Sequence, residues 1–153
     1  MVLDHIGIVV KSLERGIEVW RQVFGYDQAT SPVINSRQQV RVVFLRKEDS
    51  VLIKLIEPTD PTSPIFAMAA WGGGLHHLGF RRPSIVGAQE AIRAAGGRTL
   101  VEPQPGEAFD NELIAFSYLY GVPPEIIETE KKASPIAQPS SFKRPRPRPA
   151  RDK

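Results

Sequence analysis

The sequence contains no cysteine, which excludes a disulfide framework, a thiolate nucleophile and cysteine-ligated metal. No apolar run approaches the ~20 residues needed to span a bilayer. The opening MVLDHIGIVV lacks a basic region ahead of an apolar stretch and a cleavage site, so no secretory signal is expected. These absences predict a cytoplasmic protein without a membrane anchor. Histidine is also scarce, with three in 153 residues.

The charge that is present is unevenly placed. Residues 131–153 hold Lys131, Lys132, Lys143, Arg144, Arg146, Arg148, Arg151 and Lys153 against the single acid Asp152. The remaining 12 basic and 16 acidic residues leave 1–130 mildly acidic. The basic segment also holds Pro135, Pro139, Pro145, Pro147 and Pro149, with Ile136 and Phe142 as its large apolar residues. So little apolar surface does not offset the entropy of ordering, and the sequence predicts a disordered tail over 131–153. Its FKRPRPRPARDK end reads as a solubilising tail, with contact to an anionic partner surface as the alternative.

The chain resembles itself. Asp4-His5-Ile6-Gly7-Ile8 recurs as His76-His77-Leu78-Gly79-Phe80, and Ser12, Leu13 and Gly25 recur as Ser84, Ile85 and Gly97. Further on, Leu52-Ile53-Lys54-Leu55 is aligned with Ile126-Ile127-Glu128-Thr129 through a two-residue insertion. Such a repeat indicates a duplicated supersecondary unit whose halves share one core. Each half reads as strand, helix and strands. Val- and Ile-rich 2–10 is a strand, and Ser12 caps a helix with Leu13, Ile17, Trp20 and Phe24 inward and Gly25 at its end. Segment 28–34 is ambiguous; strands follow around Val40–Phe44 and Val51–Ile56. The second half repeats this with a strand at 75–82, a helix after Ser84, and strands near 98–103, 112–120 and 125–130. Pro103-Gln104-Pro105-Gly106 reads as a loop.

The expected fold is therefore α+β, with module one at about 1–58, a linker at 59–74 and module two at about 75–130 in a single domain. Side chains alternate faces along a strand. One face of the first strand carries His5 and Gly7, and the equivalent face carries His77, Gly79 and Arg81. The two glycines leave room beside the histidines. With Lys54 and Glu128 on the last strand of each unit, four polar side chains face one cleft. Two imidazoles and a carboxylate are good ligands for a divalent transition metal. Arg41 and Arg81, together with Arg37, are candidates for binding a substrate carboxylate or phosphate.

The segments LDHIGIVVKSLERGIEVWRQVFGY, LIKLIEP, GGGLHHLGF and EIIETE resemble the vicinal oxygen chelate (glyoxalase/bleomycin resistance/dioxygenase) superfamily, and within it the methylmalonyl-CoA epimerases and related glyoxalase-like proteins. The resemblance implies paired βαβββ modules in a half-open mixed β-barrel and a homodimer. It implies metal ligands at His5, His77 and Glu128, and a divalent ion such as cobalt, zinc, nickel, manganese or iron. Lys54 stands where the epimerases usually have Glu or Gln, and an ammonium has no lone pair for a metal. Three arrangements stay open: a three-ligand site, a metal-free site with Lys54 as the cation, or a neutral Lys54 acting as base or ligand.

The function implied is that of an isomerase, epimerase or lyase. It moves a proton alpha to a carbonyl or acyl thioester through a metal-stabilised enolate, with Glu128 and Lys54 as catalytic residues. The alternatives are a non-haem iron oxygenase using a His-His-Glu triad, and a metal-free small-molecule binding protein.

Overall fold

The computed structural model describes residues 1–137; 138–153, with most of the basic tail, lie outside the described residues. The elements run β1 (Val2–Val9), α1 (Leu13–Val19) continuing into a π-helical turn (Trp20–Phe24), β2 (Asp27–Gln28), β3 (Val33–Asn35), β4 (Val40–Arg46), β5 (Leu52–Pro58), α2 (Phe66–Ala70), β6 (Gly74–Arg81), α3 (Ile85–Ala94), β7 (Arg98–Pro105), a 3-10 turn (Glu107–Phe109), β8 (Leu113–Tyr118) and β9 (Pro124–Ile127). The ambiguous 28–34 segment supplies β2 and β3.

The nine strands of the described residues form one open sheet in the order β2-β4-β5-β1-β6-β9-β8-β7, with β3 also on β4. β1 pairs antiparallel with β6 at the centre, and each has its own module's last strand parallel on its other side, β5 and β9. This is the α+β arrangement of paired modules that the sequence predicts. Among the described residues, no helix is long and apolar enough to cross a membrane.

Strand alternation sorts the core. Val9, Val40, Val42, Phe44, Ile56, Phe109, Ile114, Phe116 and Ile127, drawn from both modules, pack on the inner face. Leu13, Val43, Leu45, Ile53 and Leu55 pack under α1 on the outer face. Ile85, Ala88, Ile92, Ala115 and Ile126 do the same under α3. The Ser12 hydroxyl caps α1 by accepting from Arg15 N–H, and Ser84 caps α3 by accepting from Gly87 N–H. Gly25 ends the first helical segment at φ 71°, a left-handed position that glycine takes without strain.

Two expectations are corrected. Pro103-Gln104-Pro105 belongs to β7, which pairs Gln104 with Ile114 and Pro105 with Leu113 after a register shift. β7 ends the sheet, and proline is compatible with an edge strand that has no neighbour awaiting its N–H. The second correction concerns residues 131–137. Assigned to the tail by composition, they lie across the two modules. Ala133 N–H donates to Ala108 O, Ser31 N–H to Ser134 O, and Ile136 N–H to Ala29 O. The open side is also bridged by Ser36 N–H donating to Glu107 Oε1 at 2.8 Å and Ala108 N–H donating to Asn35 Oδ1 at 3.1 Å.

Candidate active site

The central strand pairs bring four ionisable side chains together on the inner face. Gly7 of β1 sits between Lys54 of β5 and His77 of β6; Gly79 of β6 sits between His5 of β1 and Glu125 of β9. A Cβ on Gly7 would overlap the His77 ring, and one on Gly79 the His5 ring. Each glycine thus makes room for the histidine of the opposite module.

The contacts are short. His5 Nε2 is 2.7 Å from Glu125 Oε2 and 3.1 Å from His77 Nε2. His77 Nε2 is 3.1 Å from the same Glu125 oxygen. Lys54 Nζ donates to both carboxylate oxygens of Glu125, at 3.0 Å each. All four residues are at most 1% exposed. Phe44, Phe109 and Phe116 wall the cluster: rings of Phe44 and Phe109 lie 5.5 and 5.8 Å from His5, and Phe116 lies 5.4 Å from His77. Lys54 Nζ stands 4.9 Å from the Phe109 ring centre, within cation–π range.

A second layer surrounds His5. Asp4 Oδ2 lies 2.8 Å from His5 Nδ1. Lys132, from the segment crossing the open side, lies 3.2 Å from the same Asp4 oxygen and 5.0 Å from the Phe109 ring centre. Arg81 Nε is 3.2 Å from Asp4 Oδ1. Asp4, Arg81, Glu130 and Lys132 line a recess of about 330 Å³ beside the buried cluster. Burial pushes the Asp4 carboxyl up, but the His5 hydrogen bond and the Lys132 charge outweigh it and leave Asp4 below the usual carboxylate range. Burial lowers Lys132 despite Asp4.

The electrostatics of the cluster follow from burial and pairing. Burial pushes the His77 imidazolium down to about 3, against the attraction of Glu125. Burial pushes Glu125 up, but the charge of Lys54, then that of His77 and the histidine hydrogen bonds, hold it well below the ordinary carboxylate range. At neutral pH the cluster therefore contains an ionised carboxylate and a neutral His77.

Glu128, expected in this cluster, is elsewhere. It is three residues beyond Glu125 and so has the opposite strand parity. Its Oε1 accepts from Ile85 N–H at 2.7 Å, at the start of α3. Glu57 does the same for α1, accepting from Leu13 N–H at 2.9 Å. The modules therefore correspond as Lys54 with Glu125 and Glu57 with Glu128. The signal was present in the sequence: Lys54-Leu55-Ile56-Glu57 aligns with Glu125-Ile126-Ile127-Glu128 better than the pairing through an insertion. Arg41 is also not part of the cluster. It pairs with Glu14 and, at 3.1 Å, with Glu57, and its strand parity is that of Val43 and Leu45 on the outer face. Arg81 reaches the recess but not the four central side chains.

Donor atoms of His5, His77 and Glu125 lie within 4.8 Å of one another, and by their chemistry they are a set that divalent transition metals accept. Lys54 does not fit such an ion. A metal bonded to Glu125 Oε2 at ~2.1 Å would lie within about 5 Å of Nζ. At an effective dielectric of ~20, a divalent ion and an ammonium at that separation repel by about 7 kcal/mol. The charged Lys54 and a metal are thus competitors for one carboxylate.

Comparison with known proteins agrees with this architecture. The family model described as the Glyoxalase/Bleomycin resistance protein/Dioxygenase superfamily matches residues 4–116. A mitochondrial methylmalonyl-CoA epimerase of Dictyostelium discoideum is 26% identical over 132 residues, covering 85% of this chain and 78% of the relative. An ethylmalonyl-CoA/methylmalonyl-CoA epimerase of Cereibacter sphaeroides is 29% identical over 105 residues, covering 67% and 77%. The structure of a Streptomyces coelicolor methylmalonyl-CoA epimerase variant in complex with 2-nitronate-propionyl-CoA superposes with a TM-score of 0.73 at 28% identity, covering 85% of this chain and 98% of that one.

Proposed function

Since the chain belongs to the glyoxalase/bleomycin resistance protein/dioxygenase superfamily, we propose that it is an epimerase- or isomerase-type enzyme that moves a proton on the carbon alpha to an acyl-thioester carbonyl. The observation that carries this reading is a buried, ionised Glu125 held beside a fixed cation and two imidazoles. Relatives named as epimerases of methylmalonyl-CoA and ethylmalonyl-CoA support the substrate class.

In this reading Glu125 is the base. The Cα–H bond breaks, the proton passes to a Glu125 oxygen, and the electron pair delocalises onto the thioester oxygen as an enolate. The Lys54 ammonium is placed to stabilise that negative charge, and the apolar walls of Phe44, Phe109 and Phe116 strengthen the interaction by excluding water. Once the proton on Glu125 has exchanged with solvent, its return to the same face gives α-proton exchange with retention; the epimer forms when a second acid protonates the opposite face of the enolate. The expected divalent metal has no part in these steps, because Lys54 opposes it. Substrate entry requires the Phe109 turn and the segment carrying Lys132 to move aside. Asp4, Arg81 and Lys132 then lie at the entrance, where the two cations suit an anionic group of the substrate. The chain is further proposed to form a homodimer that covers the exposed edges of its sheet, a state that light scattering in solution reads directly.

The test is incorporation of solvent deuterium at the α-carbon of methylmalonyl-CoA and ethylmalonyl-CoA in heavy water, followed by mass spectrometry. Exchange above the no-enzyme rate is expected for at least one of them; no exchange into any α-branched acyl-CoA contradicts the reading. Closure of the cluster also favours a second reading, a metal-free small-molecule binding protein. Saturable binding of an acyl-CoA without α-proton exchange is the result that selects it.

A further inference from the structure

The two modules place identical groups at the first-strand positions, His5 and His77, and groups of opposite charge at the last-strand positions, Lys54 and Glu125. Each last-strand residue lies beside the corresponding glycine, Gly7 or Gly79. A carboxylate at both last-strand positions would give two imidazoles and two negative charges, the balance a divalent ion needs. This chain has one negative and one positive charge, joined by two 3.0 Å hydrogen bonds and buried. The pair leaves no net charge for a metal to neutralise, and Lys54 occupies both oxygens that a metal would approach.

We infer that the Lys54 ammonium is the resident cation of this cluster: the natural chain takes up no divalent ion at His5, His77 and Glu125, and removing the ammonium converts the three donors into a metal site. The site thereby presents a proton-bearing cation to an oxyanion where a metal-binding counterpart presents a Lewis acid. Because an ammonium donates hydrogen bonds and has no vacant coordination position for a ligand, the site favours a substrate offering one anionic oxygen over one that must chelate through two.

This inference rests on the charge and contacts of the cluster, independently of the reaction proposed above. Failure of α-proton exchange would remove that reaction and leave the inference intact; metal uptake by the natural chain would overturn the inference whether or not α-proton exchange is observed. The experiment is titration of Co²⁺ into chelator-treated wild type, Lys54→Gln and Lys54→Glu, read by calorimetry, visible absorption of the bound ion, and elemental analysis after gel filtration. Wild type is expected to retain no stoichiometric Co²⁺. Lys54→Glu is expected to bind an equimolar amount, at least ~100-fold more tightly than wild type, with the signal lost when His77→Ala is added. Lys54→Gln should fall between them. Equimolar Co²⁺ in wild type, lost in His77→Ala, overturns the inference; so does a folded Lys54→Glu that binds no better than wild type. Should the variants fail to fold, the unfolding temperature of wild type decides. No change with Co²⁺ supports the inference, and a rise abolished by His77→Asn overturns it.

Discussion

Lys54 Nζ lies 3.0 Å from each carboxylate oxygen of Glu125, with both residues buried and supplied by the last strands of opposite modules. Two charges removed from water are costly unless each holds the other. Lys54→Met should therefore destabilise the fold by about 3–5 kcal/mol, because it leaves Glu125 charged and unpaired. Adding Glu125→Leu should recover a large part of that loss. A double-mutant cycle from urea unfolding measures it, and strict additivity of the two substitutions would count against a coupled pair.

The roles of Glu125 and Glu128 separate by experiment. Glu128→Ala removes a charged acceptor from the start of α3 and should cost about 1 kcal/mol of stability, as loss of a helix cap does. Its α-proton exchange should stay within about threefold of wild type once folded protein is compared, a shift of well under 1 kcal/mol. Thermal unfolding and exchange measured on the same preparation check both halves.

Gly7 and Gly79 are sized for the rings opposite them. Gly79→Ala should displace His5 and destabilise the domain by about 1–3 kcal/mol, as overpacking in a core does. Imidazole proton resonances of His5 and His77 should shift in this variant. An unfolding midpoint equal to wild type would show that the ring has space the structure does not give it.

Acid should unfold the protein in two overlapping stages. His77 is pushed down to about 3 from 6.5, so below pH 6.5 the unfolded chain binds a proton that the folded chain refuses. Its contribution is complete above pH 6.5 and is lost as pH falls from 6.5 towards 3. Glu125 is held below its usual 4.5; the stability it gives is present above 4.5 and is lost on further acidification. Each pH unit in which the two states differ by one proton costs about 1.4 kcal/mol. Urea midpoints at pH 7, 5.5 and 4.5 should fall in that order. His77→Gln should flatten the upper part of the profile.

The sequence carried much of this design. His5-Ile6-Gly7 and His77-Leu78-Gly79 announce the duplication and the facing histidines, and Ser12 and Ser84 announce the helix starts. The last strands were harder to read. Glu125-Ile126-Ile127-Glu128 offers two carboxylates of opposite parity, and only the matching of Glu57 with Glu128 as helix-start acceptors identifies which one turns inward. Pro103 and Pro105 have loop chemistry but lie on an edge, where proline is tolerated. The segment to Ala137 looks like a polar tail because Ala133, Ser134 and Ile136 contribute backbone hydrogen bonds across the open side and Lys132 an ion pair with Asp4, neither of which composition registers.

The central claim, that the buried carboxylate opposite Lys54 does acid–base chemistry, is tested most directly by α-proton exchange on methylmalonyl-CoA and ethylmalonyl-CoA in heavy water. Wild type, Glu125→Gln and Glu128→Gln should be measured side by side, with folding checked by circular dichroism. Loss of a positioned base lowers the rate by ~100-fold or more, so the account predicts such a loss in Glu125→Gln and near-normal exchange in Glu128→Gln. A folded Glu125→Gln that exchanges as fast as wild type would contradict it.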